Sequence, residues 1–161
     1  MRRVVICILF FCSINLFSQT RIAVLPFSNL DGNFDLNKWC YELQDSLTKA
    51  LKAADPEETK MIIVSTEEVM DALDDLNIDA HSPSFDSDKW RIVASLNVDR
   101  IISGNFRITG NRFLINSYIY YPQTQLSDPD FQAKDIFRRE DKVLDAVPII
   151  VRQLSKAFMG E

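Results

Sequence analysis

Histidine occurs once in this sequence, at position 81, while cysteine occurs three times and glycine four times in 161 residues. These shortages remove whole classes of chemistry. Cys7 and Cys12 fall in a stretch expected to be cleaved, so the body of the chain keeps His81 and Cys40 alone, too few for the usual zinc site or for an internal disulfide. Gly32, Gly104, Gly110 and Gly160 are dispersed and build no phosphate-cradling loop. After residue 17 no segment is apolar for the roughly 20 residues that a membrane helix needs. A basic excess is also missing, because 18 Lys and Arg face 23 Asp and Glu for a net charge of −5. That balance argues against nucleic acid as a partner. No cofactor is expected.

What the chain does have is apolar material, 47% of its residues, enough for one domain and too little for two. Arg2 and Arg3 followed by the uncharged stretch from Val4 to Phe17 have the layout of a signal peptide over residues 1–18. The expectation is an exported, periplasmic domain over residues 19–161, associated with the outer membrane in one version of that reading. Phe10 and Phe11 stand where a lipid-attachment motif would place small residues before Cys12, which weighs against lipidation. Charge is uneven: eleven carboxylates from Asp55 to Asp88 face Lys60 alone, either as a solvated face or as a patch that steers a basic partner.

The organising stretch is Arg21 to Gly32. Its short apolar run closed by Pro26, Asn29, Asp31 and Gly32 reads as a strand buried on both faces that empties into a loop. Trp39, Leu43, Leu47, Ala50, Leu51 and Ala54 then share one helical face over about 36–54, stopped by Asp55-Pro56. Met61 to Val64 is a second buried strand. Ser65 and Glu68 form a capping-box pattern for a helix to about Leu76, with Val69, Leu73 and Leu76 inward. Asn77 to Ser87 reads as a connection, and Asp86 or Ser87 is expected to cap a helix through Leu96 with Trp90, Val93 and Ala94 as its apolar positions. Arg100–Ile108 and Arg112–Tyr121 form a hairpin around Thr109-Gly110-Asn111, a fifth strand falls between Gln125 and Phe137, and a final helix carries Val147 to Phe158 around Pro148. The order implies an α/β fold: a single domain with a mixed β-sheet of four to five strands packed with three to four helices.

The stretch Arg21 to Leu30, the helix after it, and Ile92 to Arg107 with the Gly110 hairpin resemble the TolB amino-terminal-like domain, over about residues 21–121. The wider group includes TolB-like modules and the CsgG, FlgO and LpoB-type bacterial envelope proteins. The resemblance implies a domain that binds other proteins of the cell envelope, with no catalytic residues to carry over. A CsgG-type pore would need membrane-crossing hairpins, and no clear pair of alternating ten-residue segments supplies them.

Four local readings accompany it. Asp31, Asn33, Asp35 and Glu42 match positions of a calcium loop, but Leu36 stands where that loop needs glycine and a strand precedes it, so turn formation is the simpler account. Cys40 reads as a small packed hydrophobe, and His81 as an exposed loop residue. Asn116, Tyr118 and Tyr120 share a strand parity with Leu114, opposite to Phe113, Ile115 and Ile119, and this face is too aromatic for plain solvation. Tyr118 and Tyr120 are therefore the candidate partner-binding residues, unless helices cover them. The sequence supports a non-enzymatic envelope interaction module of a transport, motility, secretion or cell-wall assembly; the alternative is a small secreted hydrolase using paired carboxylates. The identity of the partner, or self-association, stays open.

Overall fold

The computed structural model describes residues 19–159, so the expected leader lies outside the described residues. The organising strand is β1 (Thr20–Val24), whose Ile22, Ala23 and Val24 are all buried. Leu25-Pro26-Phe27 interrupts it before the two-residue β2 (Ser28–Asn29) resumes along the same neighbour. Proline has no N–H to give to the ladder, and the Phe27 amide donates instead to the Cys40 carbonyl (3.1 Å). Helix α1 (Lys38–Ala54) follows a short 3-10 turn at Phe34–Leu36, then β3 (Met61–Ile63), α2 (Thr66–Asp75) and α3 (Phe85–Leu96). The long strands β4 (Arg100–Thr109), β5 (Arg112–Tyr121) and β6 (Leu126–Arg138) come next. A 3-10 segment (Glu140–Ala146), α4 (Val147–Leu154) and the single turn α5 (Lys156–Met159) close the described chain.

The sheet runs β3-β1-β4-β5-β6, with β2 beside β4. β1 is parallel to both β3 and β4, whereas β4, β5 and β6 are antiparallel. The expected mixed α/β sheet is thus present with six strands, the sixth being the two-residue β2. Strand alternation divides the core. Ile22 and Val24 join Leu43, Leu47 and Leu51 of α1 and Ile150 and Leu154 of α4 on one face. Ala23 and Leu25 join Val69 and Leu73 of α2 and Ile92 and Val93 of α3 on the other.

Several local readings need correction. Ala54 and Ala94 are exposed, and Leu76 is half-buried: Ala54 and Leu76 fall at the ends of α1 and α2, and Ala94 lies on the side of α3 away from buried Ile92, Val93 and Leu96. Ser65 Oγ does accept from the Glu68 amide (3.1 Å), but the Glu68 carboxylate does not reach back: it pairs with Arg21 on β1. The third helix is capped by neither Asp86 nor Ser87, since it begins at Phe85, whose buried ring draws the first turn down onto the core. Pro148 falls in the first turn of α4, where its missing N–H costs nothing.

β6 is longer and more regular than its Asp128-Pro129-Asp130 implied, because the extra residues are expelled as bulges. Between the pairs Tyr118↔Gln132 and Tyr120↔Ser127 the register slips, and it slips again between Ile115↔Ile136 and Ser117↔Ala133. The buried Asp128 carboxylate holds the first bulge by accepting from the Asp130 and Phe131 amides (2.9 and 3.3 Å) and the Tyr121 hydroxyl (2.6 Å). Asp135 adopts φ of 58° in the second, and its amide donates to Asn116 Oδ1 at 2.9 Å.

Candidate docking surface

The two faces of the sheet are covered unequally. On the first face α1 packs against β1 and β3, and α4 packs against β5 and β6. On the second face α2 and α3 join the cluster around Ala23, Leu25 and Ile101, which lies at the parallel end of the sheet. Register places Asn105 and Arg107 of β4, Asn116 and Tyr118 of β5, and Gln132 of β6 on the remainder of this second face. Asn116 ties the three strands, donating from Nδ2 to Asn105 Oδ1 (3.1 Å) while accepting from Asp135. Leu114 is buried among these neighbours yet joins neither core cluster, and Phe137, paired with it, is 42% exposed.

Tyr120 and Tyr118 sit at the boundary between the covered and open parts. The Tyr120 ring meets Trp90 of α3 edge-on at 5.9 Å and Tyr118 at 6.2 Å. The ammonium of buried Lys89 lies 4.9 Å from the Tyr120 ring centre and donates to Asp86 Oδ1 at 2.8 Å, which balances its charge. Burial, followed by the nearby Asp86 and Tyr118, pushes the Tyr120 hydroxyl above its usual pKa. Both tyrosines stay half-buried. Helix α3 therefore braces Tyr120, while Tyr118 stands one strand-pair further out, toward Asn116 and Gln132. The sequence could not show that Lys89, a charged residue, would be the buried anchor under this cluster; its (i, i+3) spacing from Asp86 was the available sign.

The calcium-type residues do not converge. Asp31 Oδ2 accepts from the Ile108 amide (2.6 Å), Asn33 Oδ1 accepts from the Asp35 amide (3.0 Å), and Glu42 is exposed on α1. Cys40 is fully buried, and desolvation pushes its thiol up to about 11. It is a packed residue, as its sequence context implied. His81 is not an exposed loop residue: its ring packs edge-on against Tyr41 at 5.2 Å and Nδ1 lies 3.1 Å from Asp79 Oδ1, because the connection folds back against α1.

Among the described residues, the carboxyls with shifted values are Asp55 and Asp128, and both are held low. Burial would raise Asp128, but hydrogen bonds from Tyr121 and the Asp130 and Phe131 amides, with Arg100 nearby, outweigh it. A general acid needs the opposite shift.

No family model matches the chain, and no curated protein matches it. Solved structures do. The solution structure of Escherichia coli LpoB aligns with a TM-score of 0.55 and 14% identity over 76% of this chain and 59% of that one. The LpoB C-terminal domain from Salmonella enterica gives 0.48 and 13% over 75% and 83%, and TolB from Acinetobacter baumannii gives 0.46 and 14% over 88% and 29%. At such identities the likeness is one of architecture: the chain shares the fold of LpoB, one of the envelope proteins in the wider group that the Arg21 to Tyr121 stretch resembled.

Proposed function

We propose that this protein is a non-enzymatic, exported module of the bacterial envelope that binds a partner protein through the open part of its sheet, around Tyr118. The observation that carries this reading is the unequal coverage of the sheet. A half-buried tyrosine and a 42% exposed Phe137 occupy the second face of strands whose first face is sealed by α4. Tyrosine suits such a position because it offers apolar area and keeps a hydroxyl for hydrogen bonding. The Asn105–Asn116–Asp135 network fixes these strands, so little ordering entropy remains to be lost on binding. The likeness in fold to LpoB supports a setting in the bacterial envelope, facing a transport, motility, secretion or cell-wall assembly in the periplasm.

A photo-crosslinking residue placed at Tyr118 in the native envelope tests the reading. A discrete adduct at that site, absent when the same group replaces exposed Lys52 on α1, is expected, and mass spectrometry then names the partner. Equal adducts at both positions, or none at Tyr118, would remove the sheet face from consideration.

A further inference from the structure

The strand register sets the dimensions of the open part of the sheet. The Leu30 amide donates to the Phe106 carbonyl at 2.9 Å, which carries the β2–β4 pairing one residue further and sets Leu30 beside Arg107. Arg107 pairs with Leu114, and Leu114 with Phe137. A row of Leu30, Arg107, Leu114 and Phe137 therefore crosses four strands on the second face. Ser28, Asn105 and Asn116 form the next row, and Tyr118 with Gln132 belongs to the one after it. Strands stand about 4.8 Å apart and rise about 3.3 Å per residue, so the first row is about 14 Å wide and lies about 13 Å from Tyr118.

Elsewhere the chain covers this sheet with its own helices. On the first face α1 takes one half and α4 the other, and on the second α2 and α3 take the half around Ala23 and Ile101. The half opposite α4 carries no helix among the described residues. An α-helix with its side chains is about 10 to 12 Å across, and two side by side would need a further 8 to 10 Å or so. The uncovered half is thus wide enough for one helix and too narrow for two, and α3, which braces Tyr120 through Trp90, stands along its margin.

Its lining has the chemistry of a helix seat. Leu30 is 56% exposed and Phe137 42%, with Leu114 between them in the row and half-buried Tyr118 beyond. Large apolar side chains grouped in this way belong to contact surfaces. Arg107, in the same row, is exposed, and none of the ion pairs among the described residues includes it. Asp31, next to Leu30 in sequence, turns a carboxylate oxygen to the Ile108 amide instead. A guanidinium flanked by apolar side chains suits a carboxylate that arrives with the surface covering it.

We propose that the occupant of this half is an amphipathic helix of the partner protein, laid along the strands beside α3. Its apolar stripe rests on Leu30, Leu114, Phe137 and Tyr118, and an aspartate or glutamate at the edge of that stripe meets Arg107. The proposal rests on the docking reading above and adds the partner's shape and charge to it. Rise per residue separates a helix from an extended segment here: about 13 Å takes roughly nine residues of helix but only about four of strand.

The test places a photo-crosslinking residue at Phe137 in one form of the full chain and at Tyr118 in another, both in the native envelope, and maps the attached partner residues by mass spectrometry. Two adducts on one segment of one partner are expected, about seven to eleven residues apart, with apolar residues at helical spacing between them and an acidic residue within a turn of the stripe. Arg107→Glu should cut both adducts on the order of tenfold, and Arg107→Lys far less. Arg107 is exposed, so neither change threatens the fold. Adducts about four residues apart, or on separate segments, would overturn the helix and leave the sheet face as the docking surface. Adducts to a second copy of this chain, or yields that Arg107→Glu leaves unchanged, would also overturn the proposal. No adduct at either position would remove the docking reading itself, and the helix with it.

Discussion

The ring of Phe27 lies flat in the space where a side chain on Gly104 would begin. A Cβ built at Gly104 falls 2.2 Å from Phe27 Cε1 and 2.5 Å from Cδ1, closer than real atoms approach. Phe27 is fully buried, so its ring cannot swing aside into solvent. The gap between β1 and β2 gives this contact its meaning. Pro26 interrupts the pairing with β4, Phe27 turns inward toward α1, and only glycine on β4 leaves room for the ring to cross. Gly104→Ala should lower stability by about 1 to 3 kcal/mol, the usual range for overpacking a filled core. Urea denaturation measures it, and an unchanged midpoint would mean that the strand separates at no cost.

Val24 and Leu25 are adjacent in sequence and belong to opposite halves of the core, Val24 with α1 and α4, Leu25 with α2 and α3. Both are fully buried. Val24→Asp or Leu25→Asp should each cost several kcal/mol, because neither face offers a partner for a carboxylate. Thermal melting checks it: either variant, if folded at all, should melt far below the parent.

The Asp55 carboxylate collects the amides of Lys60 (2.8 Å), Met61 (3.0 Å) and Thr59 (3.0 Å), and the Thr59 hydroxyl as well. The Lys60 and Met61 N–H groups are the main cause that holds its pKa down to about 2. A folded pKa below the ordinary carboxylate value of about 3.9 means that the ionised form is favoured by folding. The resulting stability is present above roughly pH 4 and is lost as pH falls toward pH 2. Asp55→Asn should flatten the decline of stability through that window, read as urea midpoints along an acid series. A decline as steep in the variant as in the parent would assign the acid sensitivity to other carboxyls.

Periodicity made the two-sided core legible. Val24 and Leu25, the α1 stripe of Leu43, Leu47 and Leu51, and the hairpin about Gly110 all follow from local pattern, which depends on short-range geometry. Features set by contacts distant in sequence did not. The Phe27–Gly104 crossing spans 77 positions, and Glu68 abandons its capping role for Arg21, 47 residues earlier. His81 read as an exposed loop residue because nothing near it in sequence announces the Tyr41 ring it packs against. The candidate site was half legible. Strand parity put Tyr118 and Tyr120 on one face, but parity carries no information on where α3 ends, and it is the edge of α3 that separates the two tyrosines.

That separation gives the last prediction. Tyr120 is packed against Trp90 and over the ammonium of Lys89, a residue only 5% exposed whose charge is balanced by Asp86 and the two rings. Tyr120→Ser removes a wall of this cluster and opens a cavity beside a buried cation, so it should lower stability by about 2 kcal/mol or more. Tyr118 contributes a ring edge to Tyr120 at 6.2 Å and otherwise faces the open strands. Tyr118→Ser should cost well under half as much stability, while weakening capture of the partner by on the order of 2 kcal/mol, as anchors of this type commonly do. Calorimetry on both variants, set beside partner binding, separates the roles. Equal destabilisation with no binding defect in Tyr118→Ser would assign both tyrosines to the fold and move the docking surface elsewhere.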